Sequence, residues 1–274
     1  MDMPQKSSEL AARQLDADYE GFCRAVRTHT GLDLAAYKRN QMERRLRAMA
    51  DRVGADSLLS YWKMICKDQK AVDQFLDRVT INVSELFRNP EKFEELRTIV
   101  LPALLREKKE LAIWSAGCSY GAEAYSLRIL LQQLSPRVNH RILATDIDTR
   151  ILARAREGIF SEDDMRNIAP PLRHQFFTTT EGGYRVSAQL RQGVEFRHHD
   201  LLRDKFPEKM DLILCRNVVI YFADEAKRRL FEGFYQALRP GGYLLVGSTE
   251  RIFGAQEIGF RTPRPFFYQK PSEK

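Results

Sequence analysis

Residues 111–127, LAIWSAGCSYGAEAYSL, restrict the fold more than any other part of the chain. They open with a short apolar run of strand type, Leu111-Ala-Ile-Trp114, then break into small residues: Ser115, Ala116, Gly117, Cys118, Ser119 and Gly121. They close on Glu123 and lead into a helical pattern through Tyr125, Leu127, Ile129, Leu130, Leu131 and Leu134. Strand, small-residue turn and helix make up the first unit of a doubly wound α/β sheet. In such a unit glycines let a ligand lie against the backbone, and the first amides of the helix face it.

A dinucleotide site requires G-x-G-x-x-G, and the spacing Gly117-Cys118-Ser119-Tyr120-Gly121 does not supply it. Glu123 at the start of the helix would also repel a phosphate. A carboxylate there suits a ligand with a cationic or hydroxylated head, such as the amino acid end of S-adenosylmethionine. The structural alternative is a bare glycine turn with no ligand.

At 274 residues one or two domains are expected, and 43% hydrophobic content is ample for a packed core. No run approaches the ~18 apolar residues of a membrane span, and the first twenty residues contain no secretory apolar region. Direct membrane insertion is therefore not expected. Cys23, Cys66, Cys118 and Cys215 are far apart and form no C-x-x-C, which argues against zinc and a disulfide framework and points to a cytoplasmic location. The net charge of +7 mildly favours an acidic partner, either nucleic acid or a carboxylate-rich protein surface.

Residues 1–18 are polar and read as a loose tail. Residues 19–80 carry only helical periodicity, with helices expected at 19–28, 34–53, 57–66 and 68–79. The second of these has an apolar stripe, Met42, Leu46, Met49 and Val53, and beside it the row Lys38, Arg45 and Arg52. Six basic residues stand against two acidic ones over 34–52, a local excess that suits docking of an acidic partner. The solvated helix face is the plain alternative.

Residues 81–110 form an interdomain segment, which with Thr80 reads TINVSELFRNP, and a helix opened by Pro90. The segment offers Asn82, Ser84 and Arg88 as hydrogen-bonding groups. Residues 111–274 then read as the α/β domain. Its second strand, 141–147, ends in Asp146 and Asp148; Asp148 fits a helix N-cap, and Asp146 is the better ribose ligand. Two β-prone runs around Glu181-Gly182-Gly183 predict a small antiparallel insertion at about 172–193. The third strand leaves through His198, His199 and Asp200, adjacent residues that point to opposite faces, so no metal is expected. A buried strand at 210–216 runs into Asn217-Val-Val-Ile-Tyr221, a helix covers 223–238, Pro240-Gly-Gly makes a turn, and strands follow at 243–247 and 266–269.

The motifs TINVSELFRNP, WSAGCSYGAEAYSL, ILATDID, DLILCRNVVIYF and LVGSTE, in this order from about residue 19 to residue 270, resemble the chemotaxis receptor methyltransferases of the CheR family. The resemblance implies a Rossmann-like methyltransferase sheet with an N-terminal all-helical domain and a small β insertion. It implies methyl transfer from S-adenosylmethionine to glutamate side chains on the cytoplasmic helices of receptors, with S-adenosylhomocysteine as product. It places Asn82, Ser84, Arg88, Gly117, Glu123, Asp146, Asp200, Leu201, Cys215 and Arg216 at the cofactor, with Arg88 and Tyr221 beside the transferred methyl group. Lys38, Arg45 and Arg52 would meet the receptor. The expected protein is a monomer, with no metal and no nucleic acid partner.

This chain reads Gly121-Ala-Glu-Ala-Tyr125 where the family usually has Gly-Glu-Glu-Pro-Tyr, and Ser84 where many members have threonine. Members whose insertion grips a receptor tail tend to have a longer turn than Glu181-Gly182-Gly183, which argues against tail binding here. The alternative is a nucleic-acid methyltransferase. Its amino-group type usually carries an Asn/Asp-Pro-Pro-Tyr sequence after the fourth strand, where this chain has Arg216-Asn-Val-Val-Ile-Tyr221.

Overall fold

The computed structural model describes residues 3–80 and 84–272, residues 3–12 by their backbone alone. The chain divides into two compact units, Met1–Ile81 with Tyr221–Ala226, and Asn82–Ile220 with Lys227–Lys274.

The first unit is helical: α1 (Met3–Thr30), α2 (Arg39–Arg52), α3 (Leu58–Ile65) and α4 (Gln69–Thr80). Its core is aromatic. Phe22 of α1 meets Trp62 of α3 edge-on at 6.0 Å and Phe75 of α4 at 5.9 Å. T-shaped contacts of this kind add to the burial of three large apolar side chains. The loose tail expected over residues 1–18 gives way to helix from Met3 onward. Residues 5–18 contain no glycine or proline to stop it, and Pro4 falls in the first turn, where its missing N–H costs nothing. Asp18 fixes the helix in place: its carboxylate accepts from Leu58 N at 2.9 Å and Leu59 N at 3.0 Å, capping α3.

The second expected helix also differs. Residues 34–36 form a 3-10 turn capped by Asp33, Tyr37 is extended, and α2 begins only at Arg39. A non-local pairing draws the chain out of the helix. Tyr37 bridges Phe222, Lys38 N donates to Tyr221 O at 2.8 Å, and Ala223 N donates to Ala36 O at 2.8 Å. Met42, Leu46 and Met49 are buried as their spacing requires, but Val53 lies just past the helix end and is exposed.

The second unit is built on a seven-stranded sheet of order β6-β2-β1-β7-β8-β10-β9. Its members are β1 (Ala112–Ala116), β2 (Arg141–Asp146), β6 (Val194–His198), β7 (Met210–Cys215), β8 (Leu238–Val246), β9 (Arg261–Arg264) and β10 (Phe267–Gln269). The five strands from β6 to β8 are parallel, and β10 and β9 run antiparallel at one edge. β1 and β7 are entirely buried, consistent with their unbroken apolar runs. Strand order reverses between β1 and β7, the place where open α/β sheets hold ligands beyond their carboxyl ends.

β8 starts five residues earlier than its apolar pattern indicates. It runs through Pro240-Gly-Gly with a register irregularity against Met210 and Leu212. β9, Arg-Thr-Pro-Arg, is exposed throughout and has no apolar alternation to mark it. The insertion is a three-stranded sheet of order β3-β5-β4, made of β3 (Ile159–Phe160), β4 (Phe177–Thr180) and β5 (Gly183–Val186). The expected hairpin is present, and the two-residue β3 extends the insertion to an earlier start.

Candidate functional site

β1 ends at Ala116 and the chain must turn sharply into the helix Ala122–Leu134. Gly117 has φ +79°, and a Cβ there would lie 2.4 Å from Val218 Cγ2, so only glycine fits. Gly117 N and Cys118 N both donate to Thr145 O at 2.8 Å, tying the turn to the end of β2.

Glu123, in the first turn of that helix, points back at β1. Its Oε1 accepts from Ser115 Oγ at 2.7 Å, and its Oε2 lies 3.3 Å from Arg216 Nη1. Arg216 immediately follows β7 and is almost wholly buried. Its Nη2 donates to Arg88 O at 2.7 Å and Asn89 Oδ1 at 2.8 Å, and its guanidinium carbon lies 5.4 Å from the Phe93 ring centre. The buried Arg216 Nε has no partner among the described residues.

Asp146 ends β2. Its two oxygens accept from Ser119 N at 2.8 Å and Asp148 N at 3.1 Å, and burial raises its carboxyl above the ordinary range. Asp148 caps the helix Thr149–Glu157 through Arg150 N and Ile151 N, as expected. His199 N donates to Asp146 O at 3.0 Å, so the Asp200 turn lies at the same end of the sheet. There Asp200 Oδ1 accepts from Leu202 N at 2.8 Å. Leu201 is half-buried in that turn.

The structure therefore gathers Gly117, Glu123, Asp146, Asp200, Leu201 and Arg216 at the carboxyl ends of β1, β2, β6 and β7, with the Arg88 main chain held beside Arg216. Ser84 joins them through its carbonyl, which accepts from the Tyr120 hydroxyl; the same hydroxyl lies 2.8 Å from Asp164 Oδ1. Asn82 lies outside the described residues. Cys215 is completely buried, so it presents no surface to a ligand here, and burial pushes its thiol well above the ordinary value. Tyr221 belongs to the helical unit, with its ring centre 5.8 Å from the Arg45 guanidinium.

The three docking candidates differ in surroundings. Arg52 is exposed and Lys38 half-exposed, whereas Arg45 donates to Val79 O at 2.8 Å and is half-buried. Neighbouring Arg39 and Arg47 are paired with Asp16, Asp18 and Glu43.

One important residue, Glu250, escapes sequence reasoning. Its buried carboxylate accepts from Asn217 N at 2.6 Å, Gly247 N at 2.7 Å and Ile220 N at 3.3 Å, clamping the turn that follows Arg216. The available signal is a glutamate three residues past the glycine that ends an apolar strand, in LVGSTE.

The chemistry at this end of the sheet suits a ligand bearing cationic and hydroxyl groups. Glu123 and Asp146 each retain acceptor capacity, since a carboxylate offers about four lone-pair sites. A phosphate would face two carboxylates against the one guanidinium of Arg216. Among the described residues no group of three or more His, Cys, Asp or Glu could hold a metal ion, and no helix is long and apolar enough to cross a membrane.

Comparison with known families agrees with this geometry. Residues 82–263 match the model of the CheR methyltransferase SAM binding domain, and residues 17–80 match the CheR methyltransferase all-alpha domain. A chemotaxis protein methyltransferase of Listeria monocytogenes is 38% identical over 257 residues, covering 93% of this chain and 98% of its own. Those of Borreliella burgdorferi and Salmonella typhimurium are 32% and 31% identical, covering 88% and 86% of this chain and 90% and 84% of theirs. With both domain models matched in order and relatives aligned over nearly their whole length, the chain belongs to the CheR methyltransferase family.

Proposed function

We propose that this chain transfers a methyl group from S-adenosylmethionine to glutamate side chains on the cytoplasmic helices of chemotaxis receptors, leaving glutamate methyl esters and S-adenosylhomocysteine. The observation that carries the reading is the pair of carboxylates, Glu123 and Asp146, fixed around the Gly117 turn at the switch point of the sheet.

Asp146, oriented by Ser119 N and Asp148 N, would accept from ribose hydroxyls, and Glu123 from the ribose or amino acid portion. Arg216 balances the Glu123 charge and holds the Arg88–Asn89 segment against the cradle. Asp200 and Leu201 would border the adenine. Ser84 and Arg88, with Asn82, would close the cofactor from their segment, and Cys215 would support the wall from beneath. The bound cofactor supplies an already activated methyl group on its sulfonium.

A glutamate acceptor has a pKa near 4.3 and is ionised at neutral pH, so it needs no general base. The work left to the protein is in-line positioning and exclusion of water, for which effective molarities reach about 10⁵ M or more. Arg88 and Tyr221 would position the acceptor rather than carry protons. Lys38, Arg45 and Arg52 would receive the acidic receptor surface, with the enzyme acting as a cytoplasmic monomer.

The test is incubation with labelled S-adenosylmethionine and receptor cytoplasmic fragments, with RNA and DNA in parallel. Radioactive methanol released by base from the receptor fragment supports the reading. Stable label on nucleic acid would replace it with the nucleic-acid alternative, which the net charge of +7 keeps in view.

A further inference from the structure

The turn after β7 begins at Arg216 and ends at Tyr221. Inside it Asn217 stands in the left-handed region, at φ +61°. Asparagine tolerates that conformation better than most residues, yet such backbone persists only where its surroundings fix it. Glu250 does the fixing. It is 4% exposed, and its Oε2 accepts from Asn217 N at 2.6 Å and Gly247 N at 2.7 Å, while its Oε1 accepts from Ile220 N at 3.3 Å. Gly247 leaves the room this requires: a Cβ there would lie 2.3 Å from Glu250 Oε2 and 3.0 Å from Asn217 N.

The two oxygens divide the turn between them. Oε2 holds the residue next to Arg216, whose Nη1 lies 3.3 Å from Glu123 Oε2. Oε1 holds the residue next to Tyr221. Between the two held amides, Val218 packs on the Gly117 turn, since a Cβ on Gly117 would come within 2.4 Å of Val218 Cγ2. Burying a charge is costly, and an apolar side chain would fill the same space without that cost. What a carboxylate adds is acceptor capacity for several amides at once.

We infer that Glu250 is a positioning residue for methyl transfer: Oε2 fixes the cofactor end of the turn, and Oε1 fixes the main chain that carries Tyr221. This rests on the receptor-glutamate activity proposed above, with Tyr221 beside the acceptor. Glu250 itself acts through the turn.

Glu250→Gln separates the two halves. A carboxamide keeps one acceptor oxygen and gains an NH2. With the oxygen toward Asn217 N and Gly247 N, two hydrogen bonds survive, and the NH2 opposes the Ile220 amide, donor against donor. The reverse orientation sets the NH2 against two donors. Methylation of a soluble receptor fragment is followed as base-released methanol, beside calorimetry with S-adenosylhomocysteine and urea unfolding. In folded Glu250→Gln, kcat falls about tenfold or more, while the receptor KM and the S-adenosylhomocysteine Kd stay within about threefold of wild type. Glu250→Ala releases both ends and raises that Kd about tenfold as well.

An unchanged kcat in folded Glu250→Gln, with an active wild type, overturns the inference alone and leaves Glu250 a purely structural residue. A Kd that rises as much as kcat falls in this variant also overturns it, because the two ends would then not be held separately. Amide hydrogen exchange on the wild type tests the clamp even where glutamine prevents folding. The Asn217 and Ile220 amides should exchange at least about tenfold more slowly than exposed amides, and an Ile220 amide exchanging at the rate of an unfolded chain overturns the inference. Absence of methanol from the wild type removes the underlying activity and the inference with it.

Discussion

Arg216 Nη1 lies 3.3 Å from Glu123 Oε2, while Nη2 of the same guanidinium holds the Arg88 carbonyl at 2.7 Å. One side chain after β7 thus joins the helix that follows β1 to the segment that precedes Pro90. Both charged side chains are largely buried, so removing one strands the other. Arg216→Met is expected to destabilise the protein by about 3–5 kcal/mol, the usual cost of breaking a buried pair. Urea unfolding checks this; a loss below about 1 kcal/mol, typical of an exposed pair, would contradict it.

Gly117 is constrained by both conformation and space. Gly117→Ala forces a side chain into left-handed backbone and against Val218, costing about 1–2 kcal/mol for the backbone alone. Val218→Ala in the same chain should recover part of the loss, because it removes the atom struck. Denaturation of the single and double variants measures that coupling; strictly additive losses would show that Val218 is not the obstacle.

His140 sets an acid limit on stability. Its Nδ1 accepts from Leu111 N at 3.1 Å, so the neutral ring carries its proton on Nε2, 2.6 Å from Ser135 Oγ. Burial, followed by the nearby Arg128, lowers its pKa below the ordinary 6.5. Between the two values the unfolded chain binds a proton that the folded chain refuses. Stability is therefore complete above about pH 6.5 and declines as pH falls through the folded value. His199, also buried with a lowered pKa, adds to the same slope. In melting curves from pH 7.5 to 5 (about the His range), His140→Gln should show a shallower acid decline than wild type. An identical decline would remove His140 from the account.

The row Lys38, Arg45 and Arg52 on the docking helix is not uniformly available for charge reversal. Arg45 supports Val79 O and faces the Tyr221 ring, so reversing its charge disturbs the helical unit itself. Arg44 and Arg52 are exposed and form no ion pair among the described residues. Arg44→Glu with Arg52→Glu should slow receptor methylation about threefold or more at low salt, with the difference fading as salt rises. S-adenosylhomocysteine affinity should be unchanged. Equal methylation rates at low salt would rule out docking on this face.

The strand-turn-helix at β1 is legible because each of its signals is local: an apolar run, glycines where the backbone must turn left-handed, and a carboxylate one helical step on. The helices of the first unit are legible for the same reason. What escapes the sequence depends on distant partners. The break before Arg39 is made by Phe222 and Tyr221, about 180 residues away in the chain, and no periodicity within 34–53 encodes it. β9 carries no apolar alternation and is recruited by β10. Glu250 lies within a motif whose spacing is plain, yet its carboxylate serves amides beyond another strand. Tyr221 reads as part of the α/β domain and is grouped with the helical unit, because its main chain pairs with Lys38.

The most direct test of the cradle is calorimetric titration of S-adenosylhomocysteine into wild type and Asp146→Asn. The substitution keeps the shape of the side chain and an acceptor for one of the Ser119 and Asp148 amides, turns an NH2 toward the other, and removes the charge that would hold the ribose. Charge-assisted hydrogen bonds contribute about 1.5–3 kcal/mol, so the account predicts one binding site in the wild type and a Kd raised about tenfold or more in the variant. No binding to the wild type, or equal affinity in the two proteins, would contradict it.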